Sequence, residues 1–134
     1  MQPPQPAEPV GSILVVEDEA DLVWVVRFNL ELEGYRTYVA SNGRAALELL
    51  EEVTPDVILL DLMMPVMDGW AVLEEMRRRG ITTPRVIVVS ARTGRLDRRR
   101  ADELAVHHFV AKPFEMDELL TMIRGLLPPP RRQE

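Results

Sequence analysis

Short apolar runs alternate along this chain with longer stretches of helical period. "SILVVE" (12–17), "DVILLD" (56–61) and "RVIVVS" (85–90) are almost continuous in aliphatic residues, the pattern of strands buried on both faces. "YRTYVA" (35–40) has period two, and "HHFVA" (107–111) reads as a fifth strand. Between them the period becomes helical. From Asp21, residues Leu22, Val25, Val26 and Asn29 fall on one stripe, and Gly34 stops that helix. Asn42-Gly43 opens a second helix through Ala46, Leu47 and Leu50; Asp68-Gly69 opens a third, closed by Arg77–Arg79. A strongly charged helix follows over 95–104, and a last one over 115–127. Five strands alternating with five helices predict an α/β domain with a parallel sheet covered on both faces.

The pattern stops at both ends. "MQPPQPAEPVG" holds four prolines in eleven residues and no period, so residues 1–11 read as a disordered leader. "PPPRRQE" reads as a tail or linker over 128–134, leaving one domain over 12–127 without internal repeats. Hydrophobic residues make up 46% of the chain, enough for a single core at 134 residues. Cysteine is absent, which excludes disulfides and thiolate metal sites and points to the cytoplasm. No apolar run reaches the roughly 20 residues that span a bilayer, so no membrane role is expected. A net charge of −6 argues against nucleic-acid binding by this domain.

Parallel α/β sheets carry their sites at the carboxyl ends of the strands. The first strand ends in Glu17-Asp18, the third in Asp61, the fourth in Ser90 and the fifth in Lys112-Pro113. Three clustered carboxylates repel unless a cation sits among them, and an all-oxygen donor set favours Mg²⁺. Lys112 and Ser90 suit an anion instead. Of the 16 basic residues only Lys112 is a lysine, a compact charge where an arginine fork would not fit. A cation site beside an anion-binding pair, with a carboxylate between, is a layout for phosphoryl transfer onto that carboxylate.

Plainer roles compete for several of these residues. Glu17 and Asp18 could only cap the following helix. Phe109 suits half-buried packing. The arginine runs 77–79 and 98–100 read as solvated helix faces, and Met63, Met64 and Met67 as loop packing. His107 and His108, adjacent on a strand, face opposite sides and cannot share one ion.

"VVEDE", "LLDLMMPVMDG", "VVSA" and "KPF" occur in this order, and together they resemble the receiver domains of bacterial two-component response regulators over residues 12–127. The resemblance implies the flavodoxin-like receiver fold, a five-stranded sheet in the order 2-1-3-4-5. It implies Asp61 as phosphoacceptor, with the donor a sensor histidine kinase or phosphotransfer protein and the output a downstream domain or protein. Mg²⁺ would be held by Asp18, Asp61 and the backbone carbonyl of Met63, with Glu17 acting directly or through water. Ser90 and Lys112 would bind phosphoryl oxygens, Ser90 and Phe109 would switch, and Pro113 would follow a cis bond. Such a domain is a signalling acceptor, not an enzyme on separate substrates. Departures include Glu17 in place of a common Asp, Ala105 where glycine commonly ends the fourth helix, and His107-His108 in place of an acidic pair. Flavodoxin-like electron carriers share the topology, but Glu17-Asp18 would repel the phosphate their first loop cradles. The competing expectation is a receiver-fold interaction module that works without phosphorylation.

Overall fold

Strands β1 (Ser12–Val16), β2 (Arg36–Ala40), β3 (Val57–Asp61), β4 (Arg85–Ser90) and β5 (His108–Ala111) pair in parallel in the order β2-β1-β3-β4-β5. Between them run α1 (Ala20–Leu32), α2 (Gly43–Glu52), α3 (Gly69–Arg78) and α4 (Arg95–Glu103), and α5 (Met116–Leu126) follows β5. The computed structural model describes residues 9–127; the expected tail over 128–134 and the first eight residues of the leader lie outside the described residues. Backbone pairing starts before Ser12: Val10 N–H donates to Gly34 O at 3.1 Å, and Gly11 O accepts from Arg36 N at 2.9 Å.

Strand alternation divides the core. Ile13, Val15, Leu59, Ile87 and Val89 point to one face and pack with Val26, Leu30, Leu119 and Ile123. Leu14, Val16, Ile58, Leu60 and Val88 point to the other and pack with Ala46, Leu47, Val72 and Met76. Burying each such large side chain contributes about 1.5–3 kcal/mol. Two helix starts are capped as their sequence suggests: Asn42 Oδ1 accepts from Ala45 N and Asp68 Oδ1 from Ala71 N, both at 2.9 Å.

The stripe expected on α1 is rotated. Val26 and Leu30 are buried and Leu22 packs against the same core, but Val25 is 44% exposed. Asn29 does not enter the core; its Nδ2 donates back to Val25 O at 2.8 Å. A second apolar row, Trp24, Phe28 and Leu32, shares the helix, with the Trp24 and Phe28 rings stacked at 5.1 Å. Two rows compete for one core, and the one in phase with Leu30 takes it. Beside the Trp24 row on α1, buried Glu31 accepts from Arg27 Nε and Thr37 Oγ1, each at 2.7 Å, fastening the helix to β2.

The turn after α4 carries strain. Ala105 has φ +60, the left-handed region that costs a non-glycine residue about 1–2 kcal/mol. Ala105→Gly is expected to stabilise the domain by about 0.5–1 kcal/mol, after allowing for glycine's larger unfolded-state entropy. Urea melts of the two proteins check this.

His107 stands just before β5, not inside it. Its backbone N–H donates to Val86 O at 2.9 Å, and its Nδ1 accepts from Val86 N at 3.0 Å. The ring is therefore neutral, and burial, Arg85 and His108 together lower its pKa. A histidine with a depressed folded pKa stabilises fully above its unfolded value near 6.5, and the contribution is lost as pH falls through the folded value. His107→Asn keeps an acceptor oxygen in place of Nδ1 without titrating. The expected result is that wild type loses more stability than this variant between neutral pH and pH 5, by urea midpoints.

Candidate functional site

The strand order reverses between β1 and β3, and the predicted acids collect at their carboxyl ends. Glu17, Asp18 and Asp61 each bring a carboxylate oxygen within 4.8 Å of the others. Glu17 and Asp61 are buried, at 5% and 4% exposure, whereas Asp18 is exposed. Lys112 Nζ lies among them, 2.7 Å from Glu17 Oε1 and 3.4 Å from Asp61 Oδ2. Burial works against the Lys112 charge, but the Glu17 hydrogen bond and the Asp61 carboxylate outweigh it, and its pKa is raised. The ammonium holds the repelling acids together. Beneath them lies a cavity of about 20 Å³ walled by Val15, Val26, Leu59 and Leu119.

The two acids of β1 divide their work. Glu17 Oε2 accepts from Glu19 N at 3.1 Å, so both its oxygens are engaged. Part of the helix-cap reading therefore holds for Glu17. It fails for Asp18, which has no hydrogen-bond or ion-pair partner among the described residues and leaves both oxygens open to a cation. Carboxylate oxygens alone fit a hard divalent ion.

Asp61 ends β3 and is held from the loop that follows, where Met63 N donates to Asp61 Oδ1 at 3.0 Å. That loop is tight. Met67 N donates to Pro65 O at 2.7 Å across Val66, whose φ of +70 is the strained γ-turn conformation. Gly69 closes the loop by donating to Leu62 O at 3.1 Å. A Cβ at Gly69 would lie 2.6 Å from Asp61 O and 2.8 Å from Leu62 Cα, so only glycine lets α3 start this close to the acid. The turn at Pro65–Met67 and the close approach at Gly69 lead the chain back into α3 beside Asp61.

On the other side, Ser90 is fully buried and its Oγ accepts from Arg92 N at 3.0 Å, leaving its proton free to donate. The Lys112–Pro113 bond is cis. Phe109 is half-buried on the sheet face that also carries Val88 and Ser90. Met63 is 53% exposed, while Met64 and Met67 pack against the core as expected of loop methionines.

The sequence reading missed what the arginine runs do. Arg98 stacks on Phe109, 5.0 Å from the ring centroid, and Arg100 stacks on Trp70 at 4.6 Å while pairing with Glu74 Oε1 at 2.6 Å. Arg78 and Arg79 both pair with Glu75. Both rings are half-buried, and nothing in the spacing of the arginines marks them as stacking partners.

The fold and this rim of acids, lysine and hydroxyl define a class of signalling domain, and residues 13–124 match the family model described as "Response regulator receiver domain". The chain belongs to that family. Among curated proteins it is 42% identical over 113 residues to the transcriptional regulatory protein KdpE of Mycobacterium tuberculosis, covering 84% of this chain and 49% of the relative. It thus spans about half the length of the curated relatives it matches. Among solved structures, the receiver domain of the Francisella response regulator 1452 superposes with a TM-score of 0.82 at 31% identity, over 87% of this chain and 95% of that one. Thermotoga maritima TrrA, solved in complex with Mg²⁺-BeF, gives 0.77 at 30% identity, over 87% and 99%.

Proposed function

We propose that this receiver accepts a phosphoryl group on Asp61 from the phosphohistidine of a sensor histidine kinase or phosphotransfer protein, and passes the signal on by changing shape. The observation that carries the reading is Asp61 itself, buried between open Asp18 and the Lys112 ammonium. In the transfer, a carboxylate oxygen of Asp61 forms the new O–P bond. The donor's P–N bond breaks, and its electron pair leaves with the imidazole. Lys112 moves from its carboxylate partners to a phosphoryl oxygen, and Ser90 donates its free proton to another. Asp18 and Asp61, with the Met63 carbonyl, would hold Mg²⁺, while Glu17 acts at one remove by positioning Lys112 and the start of α1. The bound ion offsets the charge of the acids and of the incoming phosphoryl group. The Mg²⁺-BeF complex of the Thermotoga relative supports this choice of ion.

The domain is an acceptor that assists its own modification, not an enzyme on separate substrates. Its output is a downstream domain or protein, of the transcriptional kind that the name of the mycobacterial relative gives. We place it in the cytoplasm; no helix among the described residues is long and apolar enough to cross a membrane. Incubation with acetyl phosphate should add one phosphoryl mass with Mg²⁺ present and none with EDTA. No uptake under either condition would favour a phosphorylation-independent interaction module.

Lys112→Arg keeps the charge but not the compact ammonium that reaches Glu17 and Asp61 together. The expected result is that phosphoryl uptake survives while the response of Phe109 and Ser90 is lost. NMR shifts around Phe109, with and without acetyl phosphate, check it; a wild-type response would show that the lysine can be replaced.

A further inference from the structure

Helix α4 is docked in an unusual way. Ala101 is the one residue of the helix that is buried, and Leu96 is 79% exposed. Polar and cationic side chains hold it instead: Arg100 on Trp70 and Glu74, Arg77 Nη1 donating to Glu103 O at 3.3 Å, and Arg98 on Phe109. Arg98 makes a second contact. Its Nε donates to Thr93 O at 3.3 Å, in the loop after β4. That loop is tied to Ser90 through the bond from Arg92 N to Ser90 Oγ at 3.0 Å. One guanidinium therefore touches the aromatic on β5 and the segment that carries the buried hydroxyl.

We infer that Arg98 is a positioning residue that holds Phe109 in its resting place and couples it to the Ser90 loop. This rests on the phosphoacceptor reading above, because that reading supplies the pull on Ser90. When Ser90 Oγ turns toward a phosphoryl oxygen on Asp61, the loop follows and draws the Thr93 carbonyl away from Arg98. The guanidinium loses the bond that orients it over the ring. Phe109 is then free to turn toward Ser90, on the sheet face both residues share. A cation over an aromatic ring at this distance is a modest restraint. It is strong enough to set a resting population and weak enough to be overcome on phosphorylation.

The test compares wild type, Arg98→Ala and Arg98→Lys by NMR of labelled phenylalanine rings, first without phosphoryl donor. In Arg98→Ala the fraction of Phe109 turned toward Ser90 should rise about two- to fivefold. Arg98→Lys should resemble it, because lysine keeps the charge but loses the flat stack and the Nε bond. Phosphoryl uptake from acetyl phosphate should quicken by a similar factor in Arg98→Ala, and this gain should vanish in a Phe109→Leu background. An unchanged Phe109 population in Arg98→Ala, or the same gain in the Phe109→Leu background, would overturn the proposal. If beryllofluoride with Mg²⁺ leaves Phe109 unmoved in wild type, the phosphoacceptor switch fails, while the resting comparison still decides the role of Arg98.

Discussion

An Asp61→Asn variant will take up no phosphoryl mass from acetyl phosphate under conditions that label wild type to completion. The amide has nearly the shape of the carboxylate, so the buried position after β3 is filled and the loop through Gly69 closes as before. The carbonyl oxygen of the amide can still accept from Met63 N, as Asp61 Oδ1 does. What the amide lacks is the anionic oxygen that forms the O–P bond. The variant also removes one of the charges that raise the Lys112 pKa. A raised lysine pKa contributes stability that is present below the unfolded value and lost as pH rises through the folded one. In the variant this loss should be smaller and be complete at lower pH, so stability and labelling report on Asp61 independently. Labelling equal to wild type would remove Asp61 from the proposal.

The second large effect is expected at Asp18. Its side chain is exposed and unpartnered among the described residues, so Asp18→Ala breaks no hydrogen bond or ion pair there and leaves no buried group orphaned. The substitution takes one negative charge out of a cluster within 4.8 Å, so stability without metal should hold or rise slightly. Mg²⁺ affinity should nevertheless fall at least tenfold, since even outer-shell partners of a metal are worth about 10–100-fold. Phosphoryl uptake from small donors should slow with it. Calorimetric Mg²⁺ titration beside a thermal melt separates the two effects. Unchanged Mg²⁺ affinity would mean that Asp18 is not a metal ligand.

The sheet was legible because its strands are short aliphatic runs ending in chemistry. β3 and β4 need apolar side chains on both faces, and their last residues, Asp61 and Ser90, do not belong in such a run unless they serve a site. The caps at Asn42 and Asp68 and the stop at Gly34 were equally local signals. The misreadings arose where two long-range solutions competed. On α1, Val25 and Asn29 were assigned to the core because they neighbour the true row, and only the packing of β1 and α5 decides between the rows. His107 continues the pattern of β5, yet its ring is drawn to the backbone of Val86. The α4 arginines are exposed, as their pattern suggested, but nothing in their spacing shows that Arg98 and Arg100 also cover Phe109 and Trp70. At the site, the sequence placed Glu17, Asp18, Asp61 and Lys112 on one rim. It could not show that Lys112 rests on Glu17, since that bond joins residues from opposite ends of the domain.

The central claim is chemical: phosphorylation forms an acyl phosphate on one particular acid of the three. Borohydride reduces an acyl phosphate to an alcohol, turning the modified aspartate into homoserine, which peptide mass spectrometry can locate. After treatment with acetyl phosphate and Mg²⁺, the account predicts homoserine in place of Asp61, with Asp18 and Glu17 intact. Reduction products at Asp18 or Glu17, or none anywhere in a protein that has gained phosphoryl mass, would contradict it.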